Sequence, residues 1–305
     1  MKVVTTPHPE NELSPEQRAQ TAGHGFVYHK SSQPWFKLVA VAKDLETSPK
    51  LWVNAVRTQV YNIPQLINFL DLLEKSYQGR IKLHGAVVLS PSGKGYFITG
   101  WNDIGKTTTT LHLGKMGYGV LADDYFWMDE KGICYQAQNK AGLFPHPDNL
   151  AGIKLSSSER LLAAIKLRIS KLAFLHKVLS PNFYLPYSRF GKDISMAQIN
   201  EVLVLEPGNI EPIRDIDKEI GLDKIINTSL RLWRLNGFPQ RIVEHYCFAN
   251  NITATILTDR AEQIVESSLK NIKVVGIKGN NYQEYMDQVI EYVSEREPVS
   301  ENYQK

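Results

Sequence analysis

The feature that most narrows the folds open to this chain is the octapeptide Gly100-Trp-Asn-Asp-Ile-Gly-Lys-Thr107, which fits G-x-x-x-x-G-K-[ST] in full. Its setting is as informative as its letters. Tyr96–Thr99 reads as a buried strand before the loop, and residues 107–116 read as a helix after it. A strand, a glycine-rich turn and a helix in that order aim backbone N–H groups and the positive helix end at a phosphate. Lys106 adds a point charge for terminal phosphates, and the Thr107 hydroxyl is placed to coordinate Mg²⁺. The expected cofactors are therefore ATP and Mg²⁺. The nucleotide-contacting set is Gly100, Asn102, Asp103, Ile104, Gly105, Lys106, Thr107 and Thr108, with Thr107 also a metal ligand. Thr108–Thr110 are β-branched and poor helix formers, and their other role is to pack and cap the first turn.

Two variant nucleotide sites fail on residues. A partitioning-ATPase loop would carry an extra early lysine, where Asn102 and Asp103 stand. A guanine-reading N-K-x-D fails at Gly142 in Asn139-Lys140-Ala141-Gly142.

One helix beyond the loop, Asp123 and Asp124 end the apolar strand Val120-Leu-Ala122. In an open sheet the carboxyl ends of parallel strands share one crevice, so at least one of these aspartates should face the phosphates. Side chains alternate along a strand, so both face inward only if the chain bends. A carboxylate there can take the proton of an attacking hydroxyl or hold the metal. Asp124 is assigned as base or metal contact and Asp123 as its support, the reverse order staying open, and a strand-to-turn transition is the structural alternative. His84, beside Gly85 in Ile81–Leu89, lies on the strand expected to pair with the one entering the loop. It joins Lys106, Asp123 and Asp124 as a catalytic candidate. The other seven histidines form no metal-spaced cluster.

Strands and helices alternate from residue 80 onward, the pattern of an α/β core with a mixed sheet. The expected division is a loose arm over 1–24, strands and a helix packing on the core over 25–80, a phosphate-loop domain over 81–295 and a polar tail over 296–305. Tyr125–Ala137 reads as a hairpin turning at Asp129–Gly132. Residues 159–178, 223–235 and 260–270 read as helices, Glu201–Pro207 and Ile272–Gly279 as strands, and Asn281–Val293 as a closing helix.

A formal charge of +3 gives no ground for nucleic acid, and no apolar run is long enough to cross a bilayer. Two widely spaced cysteines, Cys134 and Cys247, fit free thiols and a cytoplasmic setting. Residues 151–192 hold eight Lys or Arg and one acid, Glu159. That is either a solvated helix face or a platform for an anionic substrate. Arg189 is a candidate lid residue there; Arg231, Arg234 and Arg241 are alternatives, while Trp127, Trp233 and Tyr246 are expected in the core.

The histidine–glycine strand, the turn, the strand into the loop, one helix and then Ala122-Asp-Asp124 resemble the catalytic core of the HPr kinase/phosphorylase family. They are also similar to the phosphate loop of phosphoenolpyruvate carboxykinases. The resemblance spans residues 82–132. It implies that family's nucleotide-binding fold, that Lys106 and Thr107 hold phosphate and metal, that the aspartates supply base and metal contact, and that His84 sits nearby. It also implies a tendency to homo-oligomerise. An ExRGxG-type segment is missing from residues 133–160, and a long N-terminal domain would not fit before His84, so HPr itself is not the expected acceptor. Three functions stay open. The first is a kinase acting on a protein or small-molecule hydroxyl. The second is an ATPase switch using Glu206 as its acid, and the third is a carboxykinase-like enzyme.

Overall fold

Period-two hydrophobicity on either side of residue 82 seeds two sheets, each with its own helices. The computed structural model describes residues 2–6, 8–18, 22–23, 26–30, 39–44, 50–54, 63–102, 104–143, 155–170, 183–233, 244, 247–253 and 255–296. One unit comprises Met1–Lys82 with Ser229–Ser267, and the other comprises Leu83–Thr228 with Ser268–Lys305.

In the first unit the strands are β1 (Lys2–Thr5), β2 (Ala22–Gly23), β3 (Phe26–Lys30), β4 (Val39–Lys43) and β5 (Lys50–Val53), ordered β1-β5-β4-β3-β2. Helix α1 (Pro15–Arg18) opens on a reciprocal cap: Ser14 Oγ accepts the Gln17 N–H at 3.2 Å, and Gln17 Oε1 accepts the Ser14 N–H at 3.0 Å. The stretch 1–24, read from its polarity as a loose arm, thus contributes β1, which pairs in parallel with β5. Helix α2 (Ile63–Tyr77) is the helix expected within residues 25–80. The later segment joins this unit through specific bonds. Trp233 Nε1 donates to the Lys82 carbonyl at 2.9 Å, and Arg260 donates to the Ser76 carbonyl at 3.2 Å while stacking over Tyr77. Such long-range pairing leaves no periodic trace, so the sequence reading placed Ser229–Ser267 in the 81–295 domain.

The second unit holds the expected mixed α/β sheet. Its strands are β6 (Arg80–His84, whose last two residues lie here), β7 (Ala86–Leu89), β8 (Gly95–Thr99), β9 (Gly119–Ala122), β10 (Tyr125–Asp129), β11 (Ile133–Gln136), β12 (Lys140–Leu143), β13 (Phe183–Pro186), β14 (Lys192–Asp193), β15 (Met196–Pro207), β16 (Arg214–Asp215) and β17 (Lys273–Gly279). The helices are α3 (Lys106–Lys115), α4 (Ser157–Ser170), α5 (Lys218–Trp233), α6 (Ile256–Leu269) and α7 (Tyr282–Arg296); α5 and α6 each begin or end in the first unit. The order β14-β9-β7-β8-β15 continues from the second half of β15 into β17, while the first half of β15 pairs with β11. The hairpin β10–β11 turns at Asp129–Gly132 as expected, with Asp129 Oδ1 accepting the N–H groups of Lys131 and Ile133 at 3.0 Å. One face of the sheet, including Ile98, Leu203 and Ile277, buries Leu113 of α3 and Val289 of α7.

One expectation is corrected. Ile81–Leu89 is not a single strand, because Gly85, at φ 154°, divides β6 from β7. A Cβ at that position would lie 2.5 Å from the Phe97 ring and 2.6 Å from the Ile98 carbonyl oxygen, so the close crossing needs glycine.

Candidate active site

The geometry follows from β7. It runs antiparallel to both β8 and β9, with Ala86 opposite Ile98 and Val87 opposite Ala122. The two flanking strands therefore run parallel and finish at the same edge, where β7 begins. Thr99-Gly100, His84-Gly85 and Ala122-Asp123 are brought together there by register alone. Backbone bonds fasten the junction: Gly85 N–H donates to the Asp124 carbonyl at 2.8 Å, and the Thr99 hydroxyl donates to the His84 carbonyl at 3.3 Å.

The loop is built as its motif demands. Gly105 caps α3 at φ 104° with no side-chain hydrogen bond, so no side chain competes for the amides that start the helix. A Cβ on Gly105 would sit 2.8 Å from Tyr282 Cβ, and one on Gly100 would sit 2.9 Å from the Leu205 carbonyl oxygen. Lys106 is buried, and its Nζ donates to the carbonyls of Gly100 at 2.9 Å and Trp101 at 2.7 Å, which lays the ammonium across the loop. Ile104 packs against the core, while Trp101 and Asn102 are exposed. Thr107 and Thr108 are half-buried in the first turn. Thr109 and Thr110 are buried and turn their hydroxyls back to the carbonyls of Gly105 and Lys106, the packing role expected of them. Asp103 lies outside the described residues.

The two aspartates part company. Asp124 stays at the surface, 52% exposed at its side chain, with Oδ1 3.5 Å from His84 Nε2. Asp123 is 2% exposed, and its partner is Tyr187, which the sequence reading did not select. The Tyr187 hydroxyl donates to Asp123 Oδ1 at 2.5 Å and accepts the Asp123 backbone N–H at 3.1 Å. Asp123 Oδ2 is buried and makes no hydrogen bond of ordinary geometry among the described residues, although the Gly142 backbone N–H also favours the charged carboxyl. Burial, opposed by the Tyr187 hydrogen bond and reinforced by the neighbouring Asp124 charge, pushes the Asp123 carboxyl up to about 7. Burial and Asp123 together push the Tyr187 phenol well above its ordinary range.

These residues fit the group that the motif implies. Open amides at a helix start, a central lysine and a buried carboxylate oxygen lacking an ordinary hydrogen bond suit phosphates and a cation. Among the described residues no three His, Cys, Asp or Glu side chains form a metal cage. A magnesium ion held by one or two carboxylates and completed by phosphates needs none. Thr107 and Asp124, the expected metal contacts, both lie at this sheet edge.

Two other expectations find partners elsewhere. Arg189 places one guanidinium nitrogen on both oxygens of Glu159, at 2.8 and 2.7 Å. Glu206 sits at the carboxyl end of β15, ion-paired with Lys224 at 2.7 Å and Arg214 at 3.8 Å. Of the arginine alternatives, Arg234 and Arg241 lie outside the described residues, as do Tyr246, Lys154, Lys171 and Lys177. Trp127 and Trp233 are buried, as expected. No helix among the described residues is long and apolar enough to cross a membrane.

Sequence comparison places this chain at a distance from one group of proteins. It is 31% identical over 93 residues to the HPr kinase/phosphorylase of Clostridium novyi (strain NT), covering 28% of this chain and 30% of that protein. It is 24% identical over 207 residues to the HPr kinase/phosphorylase of Chlorobium phaeovibrioides, covering 67% of this chain and 57% of that one. With the Chlorobium luteolum protein of the same description it shares 24% over 234 residues, or 76% of this chain and 65% of that one. The chain thus spans from under a third to just under two thirds of these relatives' lengths, and the similarity reaches well beyond residues 82–132. Among solved structures, the Hpr(Ser) kinase/phosphatase from Coxiella burnetii aligns at TM-score 0.29 and 12% identity, covering 70% of this chain and 98% of that one. No family model matches the chain.

Proposed function

We propose that this chain is an ATP-dependent phosphotransferase, passing the terminal phosphoryl group of ATP to a hydroxyl on a substrate other than HPr. The observation that carries the reading is the convergence, at one sheet edge, of a phosphate loop, His84 and the Asp123–Asp124 pair. The distant similarity to HPr kinase/phosphorylases supports it.

Each residue has a distinct task. The amides that open α3 and the Lys106 ammonium hold the phosphates and balance their charge. Bound Mg·ATP supplies the phosphoryl group and screens the negative charge at the site. Asp124, accessible and beside His84, takes the proton of the acceptor hydroxyl as its oxygen bonds to phosphorus and ADP leaves. His84 orients that carboxylate. Asp123 stands behind it as the buried support, and Thr107 and Asp124 are the proposed metal contacts.

The second reading, an ATPase switch with Glu206 as its acid, is less favoured because Lys224 and Arg214 already engage that carboxylate. The basic helix α4 exposes Arg160 and Arg168, and we assign it to an anionic acceptor.

The test supplies γ-labelled ATP, Mg²⁺ and purified protein to a lysate from cells lacking the protein. The reading expects label on a discrete acceptor, lost with Asp124→Asn. Label released only as inorganic phosphate, at equal rate in both proteins, would overturn it.

A further inference from the structure

We infer that Tyr187 is a positioning residue of this site: it takes up Oδ1 of Asp123 and leaves Oδ2 as the oxygen that a cation, water or hydroxyl can use. The inference rests on the phosphotransferase reading above.

A buried tyrosine needs a partner for its hydroxyl, and a backbone carbonyl would satisfy it. Tyr187 instead grips one residue twice, at the carboxylate and at the backbone N–H of Asp123, across 64 positions of sequence. Two bonds to one residue fix both the side-chain torsion and the main chain that leads into Asp124. The tyrosine is itself immobilised. It is fully buried among apolar side chains that include Leu111 of α3 and Val120 of β9. It also begins the short 3-10 turn Tyr187–Arg189, whose N–H at Tyr187 donates to the Asn139 carbonyl at 3.2 Å.

Just beyond, a Cβ on Gly191 would lie 2.9 Å from the Gly114 Cα, so this turn rides directly on the phosphate-loop helix. β14 then pairs in parallel with β9, the strand that delivers Asp123. The clamp is therefore braced on the helix that starts at the phosphates and on the strand that ends at the carboxylates. A solely structural tyrosine would leave no buried carboxylate oxygen without an ordinary hydrogen bond beside it. Leaving one so is costly, and the cost is accounted for if that oxygen meets a ligand.

The experiment needs no known acceptor. ATP affinity is measured by calorimetry with Mg²⁺ and with EDTA for wild type, Tyr187→Phe, Asp123→Asn and the double variant. Loss of a residue that orients a ligating group typically costs about 10–100-fold in metal affinity. Tyr187→Phe is therefore expected to cut the factor by which Mg²⁺ tightens ATP by about 10-fold or more, with affinity in EDTA unchanged. In the Asp123→Asn background the same change should cost clearly less, since only the bond to the backbone N–H at position 123 remains to be lost. An unchanged Mg²⁺ factor in Tyr187→Phe, or an equal loss in both backgrounds, would overturn the inference. If Tyr187→Phe does not fold, p-fluorophenylalanine at 187 fills the hydroxyl's volume without a donor and should lose the factor. p-Aminophenylalanine keeps a donor and should retain it, and equal values for the two would overturn the clamp. Lys106→Ala separates the two readings: if it too leaves Mg·ATP binding intact, the phosphotransferase assignment has failed and not merely the role of Tyr187.

Discussion

Lys106 Nζ, bonded to two loop carbonyls, is the charge that we propose the loop offers to terminal phosphates. Lys106→Ala should weaken Mg·ATP binding strongly while leaving the fold intact, and unchanged affinity by calorimetry would contradict the loop assignment. Asp123 makes a second prediction at this scale. Its folded carboxyl titrates at about 7 against 3.8 for the unperturbed group, so between those values the native state holds a proton that the unfolded state has lost. Stability of the nucleotide-free, metal-free protein must then fall as pH rises from about 4 to about 7, and level off above that, by on the order of 3–4 kcal/mol from this group alone. Urea unfolding at pH 5 and pH 8 should show a steeper pH dependence in wild type than in Asp123→Asn. Equal dependence would mean that Asp123 is not buried as described. The loop, the aspartates and His84 were legible in the sequence because each belongs to a contiguous stretch. Tyr187 was not, because a pairing across 64 residues has no local signature, and its neighbour Arg189 drew the attention as the charged residue of that turn.

Strand boundaries show the same division between local and distant causes. The β10–β11 turn was readable from Asp129 and Gly132, a local requirement. The break at Gly85 was hidden inside an unbroken apolar run, since what forces it is the Phe97 ring on a neighbouring strand. Gly85→Ala must distort the junction that sets His84 against Asp124. It is expected to destabilise the protein by about 1–3 kcal/mol, the usual cost of backbone strain and overpacking. A denaturant midpoint equal to wild type would show that the crossing is looser than described. Strands β12, β13, β14 and β16 were likewise unreadable: they carry no sustained apolar run or turn signal of their own and exist by pairing.

For the whole molecule, alternation from residue 80 onward was enough to announce a mixed α/β sheet, and the sheet's edge collects the chemistry because β7 forces β8 and β9 to end together. The division of the chain was less legible, since Ser229–Ser267 returns to the N-terminal unit through side chains such as Trp233 and Arg260. Both cysteines, Cys134 and Cys247, are buried free thiols. A thiol titration of the denatured, unreduced protein should therefore find two, with slow reaction in the native state; a count of zero would contradict the free-thiol assignment. Charge reversal of Lys166 and Arg168 on α4 should impair acceptor use, spare ATP binding and flatten the salt dependence of activity. Activity equal to wild type would return that helix to a solvated face.

The proposed base is Asp124, beside nucleotide held by the loop. Asp124→Asn preserves shape and hydrogen bonding but cannot accept a proton. The decisive measurement is kcat together with ATP Kd for this variant and wild type. Asp124→Asn is expected to lower kcat by about 10²–10⁴-fold with ATP Kd in EDTA close to wild type and any loss of affinity confined to Mg²⁺; wild-type turnover in Asp124→Asn would contradict the assignment.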